Sequence, residues 1–177
     1  MRAKSFFGIF LAMAIVPLVL AYLVLQLGWF TPGATAKGEF LKQEISIPHF
    51  TGVPSEQSQS HERPQWRIVY QPSMNCEQLC KEQLYGLNQT HSALGKLQKR
   101  VKATVLSEQP IDLSEYNHID LEAVSNSKLS VDYLYVVDPF GKVILRYKGS
   151  LDREQTIQTS KFILADLKKL LNYARVG

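Results

Sequence analysis

Two thiols four residues apart are the groups in this 177-residue chain best suited to chemistry. Cys76 and Cys80 lie in the stretch from Trp66 to Leu84, WRIVYQPSMNCEQLCKEQL, and the chain has no other cysteine. A short apolar run of strand character precedes them and a helical pattern follows. Two sulfurs at such a junction can share a metal ion, exchange electrons as a disulfide, or do both. At i and i+4 on one helical face their Cβ atoms would stand about 5–6 Å apart. Soft thiolates suit Cu(I). A disulfide asks for Cβ atoms about 3.5–4.5 Å apart, so the first turn must distort or open into a loop to form one. A helix N-terminus favours the thiolate form of Cys76. The plainer alternatives are one structural disulfide closing a small loop, or an idle pair.

Two residues are candidates for a third metal ligand. Met74, two positions before Cys76, can lend a thioether, and His118, in Tyr116-Asn117-His118-Ile119, can fold over the cysteines from a polar stretch. His91 lies eleven residues beyond Cys80, about 16 Å along a helix; it cannot share their ion and is expected as a hydrogen-bonded core residue. His49 and His61 fall in polar loop sequence and are expected in solvent. Asp112, Glu115, Asp120 and Glu122 read as a solvated acidic face, and Asp138 before Pro139 as a turn residue. With no Ser/His/Asp arrangement, phosphate-cradling glycine loop or HExxH, the sequence gives hydrolase and nucleotide-binding readings no support.

The elements that must position the thiols follow from periodicity. Residues 66–71 alternate like a strand, Pro72 to Asn75 make a turn, and Ser73 or Asn75 can cap the helix after it. Leu84, Leu87, His91 and Leu94 recur at helical spacing. Residues 101–106 form a second strand; residues 109–130 are polar and irregular, with at most a turn of helix. Strands at 132–137 and 142–147 flank the tight turn Asp138-Pro139-Phe140-Gly141. A long amphipathic helix over 152–173 turns Ile157, Phe162 or Ile163, Leu164, Leu167, Leu170 and Leu171 inward. The order strand–helix–strand, then strand–strand–helix, with CxxxC at the first strand-to-helix junction, is that of a thioredoxin-like α/β domain with a central mixed sheet and flanking helices.

Ahead of this domain, Phe6 to Leu25 run without a charge. About 20 such residues match a bilayer core of roughly 30 Å. Arg2 and Lys4 before the run place the N-terminus in the cytoplasm by the positive-inside rule, and Trp29 and Phe30 suit the interface. A cleaved signal peptide is the alternative, with Ala34-Thr35-Ala36 as cleavage site, but its apolar region is ordinarily only about 7–15 residues. The expected organisation is a cytoplasmic tip and transmembrane helix over 1–30, a linker with a short strand over 31–64, and the domain over 65–177. That makes a single-pass protein of a bacterial inner membrane with a periplasmic domain, in a compartment that permits disulfides. Net charge is +4, from 20 basic and 16 acidic residues; no basic block alternates with aromatics, so no nucleic-acid partner is expected.

The CxxxC segment and the stretch from Tyr133 to Gly141, YLYVVDPFG, resemble the Sco/SenC group of membrane-tethered thioredoxin-fold proteins. The ending from Ile163, ILADLKKLLNYARVG, is similar to that of small proteobacterial Sco-like proteins associated with cytochrome c oxidase assembly. The resemblance implies copper, as Cu(I), held by the Cys76 and Cys80 thiolates plus a histidine. It further implies copper delivery to a cytochrome c oxidase subunit, or thiol reduction at that subunit's copper site, with other assembly factors as partners. In this group the histidine falls at the position of Ser130 here, and the proline that thioredoxins carry before the third strand is replaced by Ser130-Val131. A thiol–disulfide reductase and a non-catalytic membrane-anchored assembly module are the alternatives.

Overall fold

Side chains that alternate along a strand point to opposite faces, and here both faces are covered, which is why the central strands are apolar over most of their length. The computed structural model describes residues 3–26, 36–41, 43–47, 50, 64–73 and 76–174. The chain divides into two units, Met1–Thr35 and Ala36–Gly177.

The first unit contains helix α1, Ala3–Gln26, with Pro17 inside it. Ile9, Phe10, Met13 and Leu18 are exposed along it. Among the described residues no helix is long and apolar enough to cross a membrane.

The second unit is built on a sheet of β1 (Glu39–Phe40), β2 (Trp66–Gln71), β3 (Val101–Leu106), β4 (Ile119–Glu122), β5 (Tyr133–Val137) and β6 (Val143–Lys148). Among the described residues the spatial order is β1-β6-β5-β2-β3-β4. β2 pairs parallel with β3 and β3 with β4, while β5 runs antiparallel to both β2 and β6. Helix α2 (Gln78–Ala93) connects β2 to β3 through a 3-10 segment, Gly95–Arg100, and α3 (Arg153–Tyr173) closes the chain. A mixed sheet of this order, with a helical crossover between its parallel strands, is the expected thioredoxin-like α/β architecture.

Leu84 and Leu87 of α2, with Ile163, Leu167 and Leu171 of α3, pack on Ile68, Tyr70, Leu134, Val136 and Leu145. The opposite face, Val69, Tyr135, Val137 and Val143, is covered by irregular chain carrying Ile47, Phe50 and Leu129. The two helices approach closely at Gly86, where a Cβ would come within 2.7 Å of Thr156 Cγ2. Asp152 caps α3 by accepting the Gln155 N–H. On its inner side α3 carries a buried carboxylate, Asp166, whose Oδ2 accepts from the Lys37 and Gly38 N–H groups and from the Tyr147 hydroxyl at 2.7, 3.0 and 2.8 Å.

Three expectations are corrected. The polar stretch 109–130 contains a strand, β4, in parallel register with β3 from Ala103↔Ile119 to Leu106↔Glu122. Ile157 faces solvent, because Thr156 takes the inward position beside Gln83. The N-cap of α2 is Glu77, without a side-chain capping bond, so Ser73 does not cap the helix; Asn75 lies outside the described residues.

Candidate functional site

The site grows from the C-terminal end of β2. Pro72 has no N–H with which to continue the ladder, so the chain leaves the sheet at Gln71 and re-forms as helix at Gln78. Cys76 therefore precedes the helix and Cys80 lies in its first turn; the two do not share one helical face. They form a disulfide with Cα atoms 4.9 Å apart, a separation the unwound segment makes accessible. Cys80 is buried, 2 % exposed, within the main core, whereas Cys76 is half-buried at its edge. One sulfur is presented and the other is backed by apolar side chains.

A residue that the sequence did not single out braces this loop. Asp132, just before β5, has φ 62°, the left-handed region that Asp and Asn tolerate best among residues with a side chain. Its N–H donates to Gln71 O, and its carbonyl accepts the Gly149 N–H, each at 2.9 Å. Its Oδ1 accepts from the Tyr70 hydroxyl at 3.4 Å and from the Ser73 N–H at 3.3 Å. Asp132 thus links the end of β2, the start of the cysteine loop and the β6–α3 connection. Burial, then the Asp132 charge and hydrogen bond, push the Tyr70 hydroxyl pKa well above the ordinary phenol value, so Tyr70 stays a donor. The available signal was an aspartate, a residue with turn propensity, directly before a strand.

Along the exposed side of α2, Arg153 grips Glu82 through two bonds of 2.6 and 2.9 Å and lies 4.0 Å over the Tyr85 ring. Tyr116 reaches the charges of this pair from the 107–118 segment; burial first, then Glu115 and Glu82, raise its pKa. Beside the cysteine loop, a cleft of about 230 Å³ opens at the ends of the parallel strands β2 and β3, lined among others by Pro72, Ser73, Leu106, Glu108 and Val131.

His118 is not with the cysteines. Its ring sits 5.3 Å from that of His91, whose Nε2 lies 2.8 Å from Val101 O at the start of β3, the end of the sheet away from the disulfide. It cannot be the third ligand of an ion held by Cys76 and Cys80, because the 107–118 segment carries it along α2 to His91 at the other end of the sheet. His91 is buried and hydrogen-bonded, as expected. Met74, His49 and His61 lie outside the described residues. Ser130, at the position where a histidine was implied, lines a separate cleft of about 730 Å³ with Tyr135 and Arg146, and its carbonyl accepts the Tyr135 hydroxyl. Among the described residues no group of three His, Cys, Asp or Glu is placed to hold a metal ion. Asp138 accepts the Phe140 and Lys142 N–H groups and closes the β5–β6 turn, as expected.

A family profile described as the transmembrane-like, thioredoxin-like, C-terminal domain matches residues 66–174. The chain belongs to this family. No curated protein matches it. Solved structures of Sco-type proteins are its structural neighbours. Apo Sco1 from Thermus thermophilus, at 15 % identity, covers 78 % of this chain and 99 % of its own, with a TM-score of 0.50. BsSco, described as a member of the Sco family of cytochrome c oxidase assembly proteins, shows 14 % identity, 63 % and 83 % coverage, and a TM-score of 0.44. Copper-bound ScoI from Bradyrhizobium japonicum shows 14 % identity, 56 % and 85 % coverage, and a TM-score of 0.37. At these identities the likeness concerns the fold, and the thioredoxin-like fold of this family member is the one the element order implied.

Proposed function

We propose that this protein is a membrane-tethered thiol–disulfide exchange factor, acting on the copper-site cysteines of a cytochrome c oxidase subunit during assembly of the enzyme. The observation that carries the reading is the unequal placement of the two sulfurs, Cys76 at the edge and Cys80 in the core. In the reduced protein the Cys76 thiolate attacks a disulfide sulfur of the partner. A mixed disulfide forms and one partner sulfur leaves as a thiolate, taking a proton from water. The Cys80 thiolate then attacks the Cys76 sulfur, closing the disulfide and freeing the second partner thiol. Two electrons pass to the partner, and an upstream dithiol protein must restore the starting state. Orphan N–H groups at the start of α2 favour the thiolate that begins the sequence.

Copper handling is the second reading, favoured by the resemblance to Sco proteins and by the Cα separation of 4.9 Å, which lets both sulfurs reach one ion. Cu(I) would then be cargo held by two soft thiolates. Tethering rests on the charge-free run from Phe6 to Leu25, all of it in α1, and on Arg2 and Lys4 ahead of it, which support a periplasmic side for the domain.

The test is trapping in membranes. Cys80→Ser should accumulate a mixed disulfide with an oxidase subunit that dithiothreitol releases, while Cys76→Ser should trap none. If neither variant forms an adduct and the reduced protein binds Cu(I) in about 1:1 stoichiometry, the second reading replaces the first; if neither occurs, the cysteines are structural.

A further inference from the structure

At the opposite end of the sheet from the disulfide, a histidine holds a lone pair that no partner among the described residues uses. His91, 9 % exposed, has Nε2 2.8 Å from the Val101 carbonyl oxygen. An oxygen of that kind only accepts, so Nε2 carries the proton. The neutral ring has no second N–H, which leaves Nδ1 as a bare acceptor. That atom is shut off from solvent and has no hydrogen-bond partner. Unused buried acceptors are rare in folded proteins and call for an explanation. Burial, the largest influence on His91, holds its pKa below the ordinary imidazole value and keeps the ring neutral at neutral pH.

A neutral imidazole with one nitrogen tied to a backbone carbonyl and the other free is the arrangement of a metal-ligating histidine, whose far N–H is oriented by an outer hydrogen bond. A second imidazole is at hand. The His118 ring centroid lies 5.3 Å away, tilted by 35°, on an exposed turn that leads into β4. A ring nitrogen about 2.0–2.1 Å from an ion puts the ion roughly 3.2 Å from the ring centroid. With a His118 nitrogen turned toward His91 Nδ1, two such arms with centroids 5.3 Å apart would meet at an angle of about 110°, the tetrahedral value. Asp120, exposed on β4, is near enough for its charge to act on His91 and would offset that of a cation.

We propose that His91 Nδ1 and His118 form a second site, independent of the cysteines, for a divalent ion of the zinc and copper(II) class. Water fills the remaining positions, since no third ligand side chain among the described residues stands close enough. The site faces solvent through His118, and the ion takes up the unpaired Nδ1 of His91.

The experiment uses the full chain in detergent with Cys76→Ser and Cys80→Ser, so that thiol chemistry is gone and cannot mimic or mask the result. Zn(II) added at neutral pH should bind at about one equivalent per chain. His118→Gln, an exposed change that spares the core, should weaken binding at least about tenfold. Because His91 is buried and its replacement risks the fold, it is read directly: Zn(II) should shift the His91 Nδ1 resonance in a nitrogen-15 spectrum. Absence of binding, equal binding by the His118→Gln variant, or binding that leaves the His91 signal unmoved would each overturn the site. None of these outcomes bears on the dithiol reading, which the trapping experiment decides separately.

Discussion

Asp132 carries more of the candidate site than its single charge suggests. With its left-handed backbone and four hydrogen bonds it holds the start of the cysteine loop to the end of β2. The two side-chain bonds are long and half-exposed, worth about 1 kcal/mol each, so their role is to restrict the loop rather than to stabilise the domain. The substitutions Asp132→Asn and Asp132→Gly separate the contributions. Asparagine keeps both the tolerated backbone and an accepting oxygen; glycine keeps the backbone and loses the oxygen. Reduction of the Cys76–Cys80 disulfide by dithiothreitol should proceed at nearly the native rate in the Asn variant and several-fold faster in the Gly variant. Equal rates in the two would show that the carboxylate does not restrain the loop. Asp132 was hard to find from sequence because its role arises from contacts with Tyr70, Ser73 and Gly149, which are distant along the chain. The cysteines needed no such information, since their type and spacing alone identify them. What the spacing did not reveal is that Cys76 stands outside the helix, because that depends on where the chain re-enters regular structure after Pro72.

Among the elements, the α2–α3 contact is the one whose geometry makes a quantitative demand. Gly86 leaves room for Thr156, and a methyl group there would meet Thr156 Cγ2 at 2.7 Å and Ser160 Oγ at 3.1 Å. Alanine in place of glycine favours a helix by roughly 0.8–1.0 kcal/mol, while overpacking costs about 1–3 kcal/mol. If the helices are fixed, Gly86→Ala lowers the midpoint of chemical denaturation by a net loss of up to about 2 kcal/mol; if they can slide, the propensity gain prevails and the midpoint rises. The crowding on both sides of the pair argues for the loss. The α2 stripe, β2, β3, the β5–β6 hairpin and α3 were all legible, because each has a long run at one period. β4 was not: Ile-Asp-Leu-Glu is only four residues, half of them acidic, and its place is set by pairing with β3 across the intervening segment. The same blindness applies to His118, whose partner His91 lies 27 positions earlier in the chain and became visible only when that segment was laid along α2.

In the whole molecule, one buried carboxylate organises the arrival of the N-terminal segment at the sheet. Asp166, 2 % exposed, receives two backbone N–H groups and a tyrosine hydroxyl on a single oxygen. Gly38 fits because a Cβ there would fall 2.5 Å from the Tyr147 ring. Replacing Asp166 with alanine strands three donors, and the expected loss is about 2–4 kcal/mol of unfolding free energy. Trypsin should also cut after Lys37 much faster in the variant than in the parent under native conditions. Unchanged cleavage would mean that this stretch is held by β1 pairing and apolar contact instead.

That fastening has a mechanical consequence. Tension arriving from residues ahead of Ala36 is borne first by Asp166 and by the two-residue strand β1 at the sheet margin, whereas the sulfurs emerge from β2, three strands further in. Under the proposed function, holding on and handing over electrons would fall to different parts of one body, so a tug on the mooring need not disturb the working rim.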